Sequence, residues 1–400
     1  LDERAEELDP AKRYDLDRRL AEIDFSRGRT EEAEKRLKRC VEAQPEDQRP
    51  RDFLHKIYSG GKRFAEKVDL LLDEAERADK DEDRLRLFTS AEEILEKDLG
   101  DPAGALEMCE KILQLRPDEL ETWKRRVELH RLLDDPGQQQ LALIKIAELT
   151  EGEESKQATR KAARLAHDVL EDSAAARRIW SELLGGSPGD PEALDRLLEL
   201  DREEDLPEEL SEHLVERIEG TEDQADLSPL LRELAEVLMQ RLDRPDEALP
   251  VMERLEGLHP TDREILEGLS DLYEKTGRWS ELSRTLETRV ELAGSEQGRA
   301  ELLLDLAMVQ LDSLADAGAA ADSLRRAATI DPENTEILDR LRKVATELKD
   351  NELLIETLEG LAARTDEEAR EHELRRSVGL LHFSRGSAAE ARRAFTTALE

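Results

Sequence analysis

The sequence is poor in the residues that usually hold compact domains together. It has two cysteines, Cys40 and Cys109, in 400 residues, which is too few for a disulfide framework and consistent with a reducing compartment. Aromatic residues make up 3% of the chain and apolar residues 38%, so the core has to be thin and aliphatic. Glycine and proline are also sparse, with 20 and 14 residues, which favours long helices over many short strands joined by turns.

Positive charge is also in short supply. The 61 Lys and Arg residues face 99 Asp and Glu residues, which gives a formal net charge of −38 at pH 7. Binding to phosphate backbones or to anionic lipids depends on Lys and Arg, so this balance argues against nucleic acid and against anionic membranes as partners. It predicts protein or peptide partners that are basic or of mixed charge.

No apolar run is long enough to span a bilayer. Even residues 302–311 are interrupted by Asp305, whereas a spanning helix needs about 20 apolar residues. We therefore predict no direct membrane insertion. The chain begins at Leu1 without a signal-like segment, so we expect a fragment of a longer chain or a processed chain. Targeting is not readable, and a soluble, cytoplasmic location is favoured.

The strongest positive feature is an internal repeat. Prolines recur every 71 or 72 residues, a series of alanines lies twelve residues before them, and a large apolar residue or cysteine follows four residues after each alanine. Because residues four apart share one helix face, these series predict a buried stripe. The positions are Pro45, Pro117, Pro188, Pro260 and Pro332; Ala33, Ala105, Ala176, Ala248, Ala320 and Ala391; and Leu37, Cys109, Trp180, Met252, Leu324 and Phe395.

Each period divides into two helix pairs. Apolar residues recur at spacings of three and four, as in Leu303, Leu306 and Ala307, which is the pattern of an amphipathic helix and not of a strand. A second-helix series in the alternate pairs keeps the same period, at Leu71, Leu143, Leu214, Leu286 and Leu358. These patterns predict an all-α fold of antiparallel helix pairs, about eleven helix-turn-helix repeats in all.

The helix pairs resemble the tetratricopeptide repeat (TPR) family. Ala248, Met252, Leu255 and Pro260 stand in the order and spacing of the second half of that repeat, and the resemblance covers about residues 13 to 400. Two departures are an extra residue between the helices of odd-numbered units and the replacement of a small first-helix residue by Glu92 or Val378. The resemblance implies an α-solenoid with a right-handed superhelix, whose first helices line a concave groove that binds peptides or proteins.

The repeat predicts one continuous domain. We expect residues 1–400 to form a single solenoid with repeats from about residue 13, in which the last repeat, 371–400, is truncated. Stacked repeats are stabilised by their neighbours, and no polar cap is recognisable at the carboxyl end. We therefore expect that end to be the less stable one.

No catalytic, metal or cofactor signature is present. The seven histidines include no pair at the spacing of four that would place two ligands on one helix face, so we predict no metal site. Cys40 and Cys109 fall at core positions of the repeat and are interpreted as buried small apolar residues. Carboxylates are so frequent that their proximity does not indicate acid–base chemistry. We predict no cofactor and no enzymatic activity.

The three tryptophans are interpreted as packing residues. Trp180 belongs to the stripe that follows the alanines, and Trp123 aligns with Leu194 and Leu266, so both are predicted to be buried. Trp279 aligns with residues near the start of a helix and is predicted to be partly exposed.

The candidate partner-binding residues lie on predicted first helices. A basic set comprises Lys124, Arg131, Arg160, Arg164 and His167, and an acidic set comprises Glu264, Glu267, Asp271 and Glu274. Within each set the spacings of three, four and seven keep the side chains on one face. A partner segment with acidic residues at one end and basic residues at the other would complement both sets. An alternative interpretation is a solvated helix face with internal Glu–Arg pairs.

The predicted function is that of a non-catalytic scaffold or adaptor that binds protein partners along its groove. Two alternatives stay open. The chain could be the regulatory or substrate-recruiting arm of a larger enzyme, or a structural spacer that self-associates through uncapped ends.

Overall fold

Residues 9–399 of the computed structural model are described, and within them the chain forms 22 α-helices and no strand. Consecutive helices are antiparallel and form eleven pairs, each with a first and a second helix. The first five pairs are α1 Pro10–Ser26 and α2 Thr30–Ala43; α3 Arg49–Gly60 and α4 Phe64–Arg77; α5 Asp81–Ile94 and α6 Pro102–Leu115; α7 Leu120–Leu132 and α8 Pro136–Leu149; and α9 Gly152–Asp168 and α10 Ser173–Gly186.

The remaining six pairs continue the pattern to the end of the described chain. They are α11 Pro191–Glu203 and α12 Pro207–Glu219; α13 Gln224–Glu236 and α14 Pro245–Leu258; α15 Arg263–Thr276 and α16 Trp279–Leu292; α17 Glu296–Met308 and α18 Ala317–Ile330; α19 Thr335–Leu348 and α20 Asn351–Ala362; and α21 Glu368–Ser384 and α22 Ala388–Thr397. The predicted number of about eleven pairs is confirmed.

The core consists of the repeating stripe. All six alanines of the series are buried, and so are Leu37, Cys109, Trp180, Met252 and Leu324 four residues after the first five of them. Phe395, in the last pair, is only half-buried. The second-helix leucines from Leu71 to Leu358 are buried as well. Each pair therefore buries its apolar stripe against its neighbours, as expected for stacked repeats.

The positions where the sequence departs from a small first-helix residue are also buried. Val378 is an apolar replacement, whereas Glu92 brings a carboxylate into the core. Arg125 of α7 reaches Glu92 and donates from Nε to Oε1 over 3.0 Å. A buried carboxylate is tolerated when it is paired, so this departure from the repeat has a local explanation.

First helices alternate between two kinds of ending. After α5, α13 and α17, the chain continues through one π-helical turn at Leu95–Leu99, Val237–Arg241 and Val309–Ser313 before the next helix begins. In the third, fifth, seventh and ninth pairs, the N–H at the N-cap of the second helix bonds a carbonyl six residues earlier, as Asp101 does with Leu95. In the even pairs the span is five, as from Arg63 to Tyr58.

These π turns accommodate the extra residue predicted for odd-numbered units. A π turn places one more residue in a turn without breaking the helix axis. The first and last pairs differ from that prediction, because Arg29 bonds Asp24 and Ser387 bonds His382 with the shorter span of five.

The all-α solenoid class, built of stacked antiparallel pairs, is confirmed by these helices. By its internal contacts the chain divides into two compact units, with the division between Leu200 and Asp201 inside α11. One continuous solenoid over residues 1–400 stays a prediction. No helix among residues 9–399 combines the length and the apolar character needed to cross a membrane.

Candidate partner-binding surface

The predicted basic residues lie on two neighbouring first helices of the first unit. Lys124 and Arg131 lie on α7, and Arg160, Arg164 and His167 lie on α9. Both helices are amphipathic, and the apolar side of α9 is formed largely by alanines that allow close packing, namely Ala158, Ala162, Ala163 and Ala166. The charged side chains are therefore left on the outer sides of the helices.

Arg160 is held by three carboxylates. Its Nη1 donates to Glu153 over 3.0 Å, its Nη2 donates to Asp190 over 2.7 Å, and its Nε lies 3.4 Å from Glu192. Asp190 also accepts the Ala193 N–H over 3.0 Å and so caps α11. Burial acts to raise the pKa of Asp190, but the hydrogen bonds from Ala193 and Arg160 outweigh it and lower the pKa. Asp190 therefore stays ionised and fixes the guanidinium.

Arg164 and Lys124 also reach carboxylates on neighbouring elements. Arg164 donates from Nε to Glu192 over 2.7 Å, so that Arg160 and Arg164 share this partner. Lys124 lies 2.8 Å from Glu154 at the start of α9 and 3.1 Å from Glu121 on its own helix, and these carboxylates raise its pKa. The ion pairs connect α7 to α9 and α9 to the start of α11.

Arg131 and His167 are less engaged. Arg131 pairs only with Glu128 on its own helix, at 2.9 Å, and its side chain is 62% exposed. His167 is half-buried, and its Nδ1 has no hydrogen-bond partner. Of the five basic residues, the structure brings Arg160 and Arg164 together and places Lys124 on the adjoining helix.

The acidic set forms an exposed stripe on α15. Glu264, Glu267, Asp271 and Glu274 all point to solvent, while the opposite side of the helix is buried. Glu264 lies 4.0 Å from Arg232, and Glu267 lies 3.9 Å from Arg289. The basic set belongs to the first compact unit and the acidic set to the second, so their joint use by one partner stays a prediction.

The sequence analysis did not identify the carboxylates that hold Arg160. A signal was present, because an acidic residue or asparagine stands two residues after every proline of the repeat series. In the last three of the five cases this residue caps the following first helix by accepting backbone N–H groups. The five residues are Asp47, Glu119, Asp190, Asp262 and Asn334.

Other reactive groups are arranged as structural residues. Burial raises the pKa of the Cys40 thiol to about 11 and that of Cys109 to about 12, so both remain protonated near neutral pH. His213 Nδ1 lies 2.7 Å from the carboxylate of the fully buried Asp201. In residues 9–399, no three His, Cys, Asp or Glu side chains are grouped so as to hold a metal ion.

The tryptophan predictions are confirmed in two cases of three. Trp180 is buried and Trp279 is partly exposed, as expected. The prediction for Trp123 is wrong, because its ring is only half-buried. Its Nε1 donates to the Pro117 carbonyl over 2.8 Å, and the Arg126 guanidinium lies 5.0 Å from the ring centre. The indole therefore lies over the turn before α7 and not in the core.

Comparison with known proteins gives only remote similarities. No protein-family model and no curated protein matches the chain. Among solved structures, the crystal structure of MamA is 20% identical, with 44% of this chain and 92% of that chain covered and a TM-score of 0.29. YrrB, described as a TPR protein with an unusual peptide-binding site, is 18% identical, with 46% and 90% covered and a TM-score of 0.28.

A third match spans more of this chain. The structure of Naa15/Naa10 bound to HypK-THB is 12% identical, with 94% of this chain and 61% of that chain covered and a TM-score of 0.33. All three TM-scores lie below 0.5, so these similarities carry no argument about function. The fold is TPR-like. This assignment follows from the eleven helix pairs and from the buried stripe that recurs in them.

Proposed function

We propose that this chain is a non-catalytic scaffold that binds protein partners along its first helices. Partners of basic or mixed charge fit the net charge of −38. The basic set on α7 and α9 and the acidic set on α15 are the proposed contact residues.

The observation that carries this proposal is a series of ion pairs between successive first helices. In each compact unit, a cationic side chain of one first helix reaches a carboxylate at or near the next one. Such pairs hold neighbouring helices side by side and preorganise an extended polar surface. The pairs are Arg125–Glu92 at 3.0 Å, Lys124–Glu154 at 2.8 Å, Arg160–Asp190 at 2.7 Å, Arg202–Glu233 at 2.7 Å, Arg232–Asp262 at 2.5 Å and Arg370–Asp339 at 3.2 Å.

The same ion pairs determine which residues suit a test. Arg160 holds the buried Asp190, so reversing its charge would disturb the fold as well as any partner. Arg131 and Arg164 are more exposed, and their partners are exposed or shared. The informative variant is therefore Arg131→Glu with Arg164→Glu, accompanied by Glu267→Lys with Asp271→Lys in a second chain.

The experiment is affinity capture of partners from the native host with the full chain, identification by mass spectrometry, and titration of each purified partner against wild type and variants. We expect direct binding that weakens at moderate salt and that one of the two double variants reduces. Arg325→Glu is the control, because Arg325 is an exposed arginine on second helix α18 with only an i−3 carboxylate, Asp322, as its partner. Partners that bind wild type and both double variants equally would exclude the proposed contact residues.

A further inference from the structure

An open cleft of about 800 Å³ lies between α5, the end of α6 and the start of α7. Its lining includes the small side chains Thr89 and Cys109 and three carboxylates, Glu82, Glu119 and Glu121. It therefore combines free volume with negative charge, on the side of the third pair that faces the next first helix.

The equivalent place two pairs later is filled from within the chain. A shift of 71 residues, which relates Pro117 to Pro188 and Cys109 to Trp180, relates Thr89 to Arg160. The same shift relates the three carboxylates of the cleft to the three that bind Arg160. These pairs of positions are Glu82 and Glu153, Glu119 and Asp190, and Glu121 and Glu192.

The third pair thus keeps all three acceptor positions but lacks the arginine. Threonine replaces Arg160, and cysteine replaces the large ring of Trp180, which together open the cleft. Of the acceptors, Glu119 lies 3.6 Å from Arg116, and Glu121 lies 3.1 Å from Lys124 on its own helix. Within the described chain, neither carboxylate binds a side chain of α5 in the way that Asp190 binds Arg160 of α9.

A second internal example shows that the arrangement recurs. The residue 72 positions after Arg160 is Arg232, and its Nη2 lies 2.5 Å from Asp262, with Nη1 4.0 Å from Glu264. Asp262 and Glu264 are the counterparts of Asp190 and Glu192. The fold therefore binds a guanidinium at these positions in two separate places.

We propose that the cleft binds an arginine side chain from a partner protein, with Glu82, Glu119 and Glu121 as its acceptors. This rests on the proposed scaffold function and names a chemical feature of the partner. In the internal example each of the three guanidinium nitrogens approaches a different carboxylate. A planar guanidinium with divergent donors fits this arrangement, whereas a lysine ammonium is a single point charge and citrulline carries none.

The test uses the full chain and three blocked tripeptides, acetyl-Gly-Arg-Gly-amide and its lysine and citrulline analogues. Binding is followed by ligand-observed saturation-transfer NMR at low and moderate salt. Wild type is expected to bind the arginine peptide most tightly and the citrulline peptide about tenfold more weakly or not at all, since a charged hydrogen bond is lost.

The decisive variant is Thr89→Arg, which restores the internal arginine and should abolish binding of the arginine peptide. Its matched control is Thr329→Arg on α18. Both threonines are exposed and helical, and their hydroxyls donate to the carbonyl four residues earlier over 2.8 Å. The control changes charge and residue type in the same way but leaves the cleft open. Glu121→Gln, a conservative change on the exposed rim, should also weaken binding.

Three results would overturn the inference: equal binding of the arginine and citrulline peptides, equal binding of the arginine and lysine peptides, or unchanged binding in Thr89→Arg. Failure here is distinguishable from failure of the scaffold function. If Thr89→Arg loses the peptide but still binds every captured partner, the cleft does not serve those partners. If no partner binds wild type directly, the scaffold function itself fails.

Discussion

Trp180 shows what a single large side chain contributes to this thin core. It is 1% exposed and packs among Leu143, Ala163, Ala176 and Leu197, which come from four different helices. With few aromatic residues in the chain, no other ring can fill the space that it leaves. The position was predictable, because a large apolar residue follows each alanine of the repeat.

We predict that Trp180→Ala lowers the free energy of unfolding by about 3–5 kcal/mol, since a large cavity replaces a buried ring. Urea denaturation followed by circular dichroism measures this. Trp123→Ala is the control, because that ring is half-buried, and it should cost less. A loss under about 1 kcal/mol for Trp180 would contradict its place in the core.

A buried carboxylate in the first two pairs gives a pH-dependent contribution. Glu34 of α2 accepts from Arg63 over 2.5 Å and from Tyr58 over 3.1 Å, and Lys38 lies 2.8 Å away. Burial acts to raise the pKa of Glu34, but these donors outweigh it and lower the pKa from 4.5 to about 2. A lowered pKa means that ionised Glu34 stabilises the folded chain above pH 4.5 and that this contribution is lost as the pH falls towards 2.

We predict that Glu34→Gln lowers the melting temperature at neutral pH and that the difference from wild type shrinks between pH 4.5 and 2. Calorimetry across this range measures the difference. Glu42→Gln on the same helix is the control, because Glu42 is exposed. A difference that stays constant down to the lowest pH would show that Glu34 does not act through its charge.

At the scale of the element, the turn after each repeat proline does two things at once. Asp262 caps α15 by accepting the Glu264 N–H over 3.0 Å and also binds Arg232 of α13 at 2.5 Å. Asn334 caps α19 through the Glu336 and Ile337 N–H groups. One residue thus begins a helix and, where it is Asp262, ties that helix to the preceding first helix.

This duplication predicts a difference between two cap variants. Asn334→Ala should cost about 1 kcal/mol, the usual value of an N-cap. Asp262→Ala should cost up to about 1 kcal/mol more, because a partly exposed ion pair is lost as well. Denaturation of both variants, with and without Arg232→Gln, measures the two contributions. If Asp262→Ala costs the same whether or not Arg232→Gln is also present, the ion pair adds nothing.

The helix endings show where sequence patterns reach their limit. An extra residue in the odd-numbered pairs was predictable from spacing, but its conformation was not, since a turn of any type can hold one residue. The structure places it in π turns at Leu95–Leu99, Val237–Arg241 and Val309–Ser313. The ion-pair partners of Arg160 were missed for a related reason, because they lie on the next helix and not at the i+4 positions that a helical pattern reveals.

At the scale of the whole molecule, stability follows position along the chain. The last pair, α21 and α22, leaves apolar side chains exposed among residues 9–399, with Phe383 70% exposed and Phe395 only half-buried. Its counterpart Phe25, in the same Phe-Ser-Arg-Gly tract of the first pair, packs edge-on against Phe53 with ring centres 5.2 Å apart. Among the described residues, Phe383 has no such ring contact.

We predict that amide hydrogens of α21 and α22 exchange faster than those of α9 and α10, since each pair is stabilised by its neighbours. Hydrogen exchange measured by mass spectrometry compares the two segments within the same sample. Equal protection of both segments at low protein concentration would contradict the prediction.

The number of helix pairs was predictable from one period, whereas the division at Leu200 was not. A period of 71 or 72 residues carries no information on how tightly one repeat contacts the next, because the contact depends on side chains that the repeat does not constrain. The last two residues before the division, Glu199 and Leu200, follow the pattern of the other pairs without interruption.

The repeated turn has a consequence for the length of the chain. Removing residues 190–261 would join Gly189 directly to Asp262 and place Arg160 opposite Asp262 and Glu264, which already bind Arg232. A deletion of one whole period therefore creates a junction of a kind that the protein already contains. We expect such a shortened chain to remain helical and to unfold cooperatively in calorimetry, whereas a deletion half a period long should not. By gain or loss of such periods, proteins of this architecture can change length without acquiring a new interface.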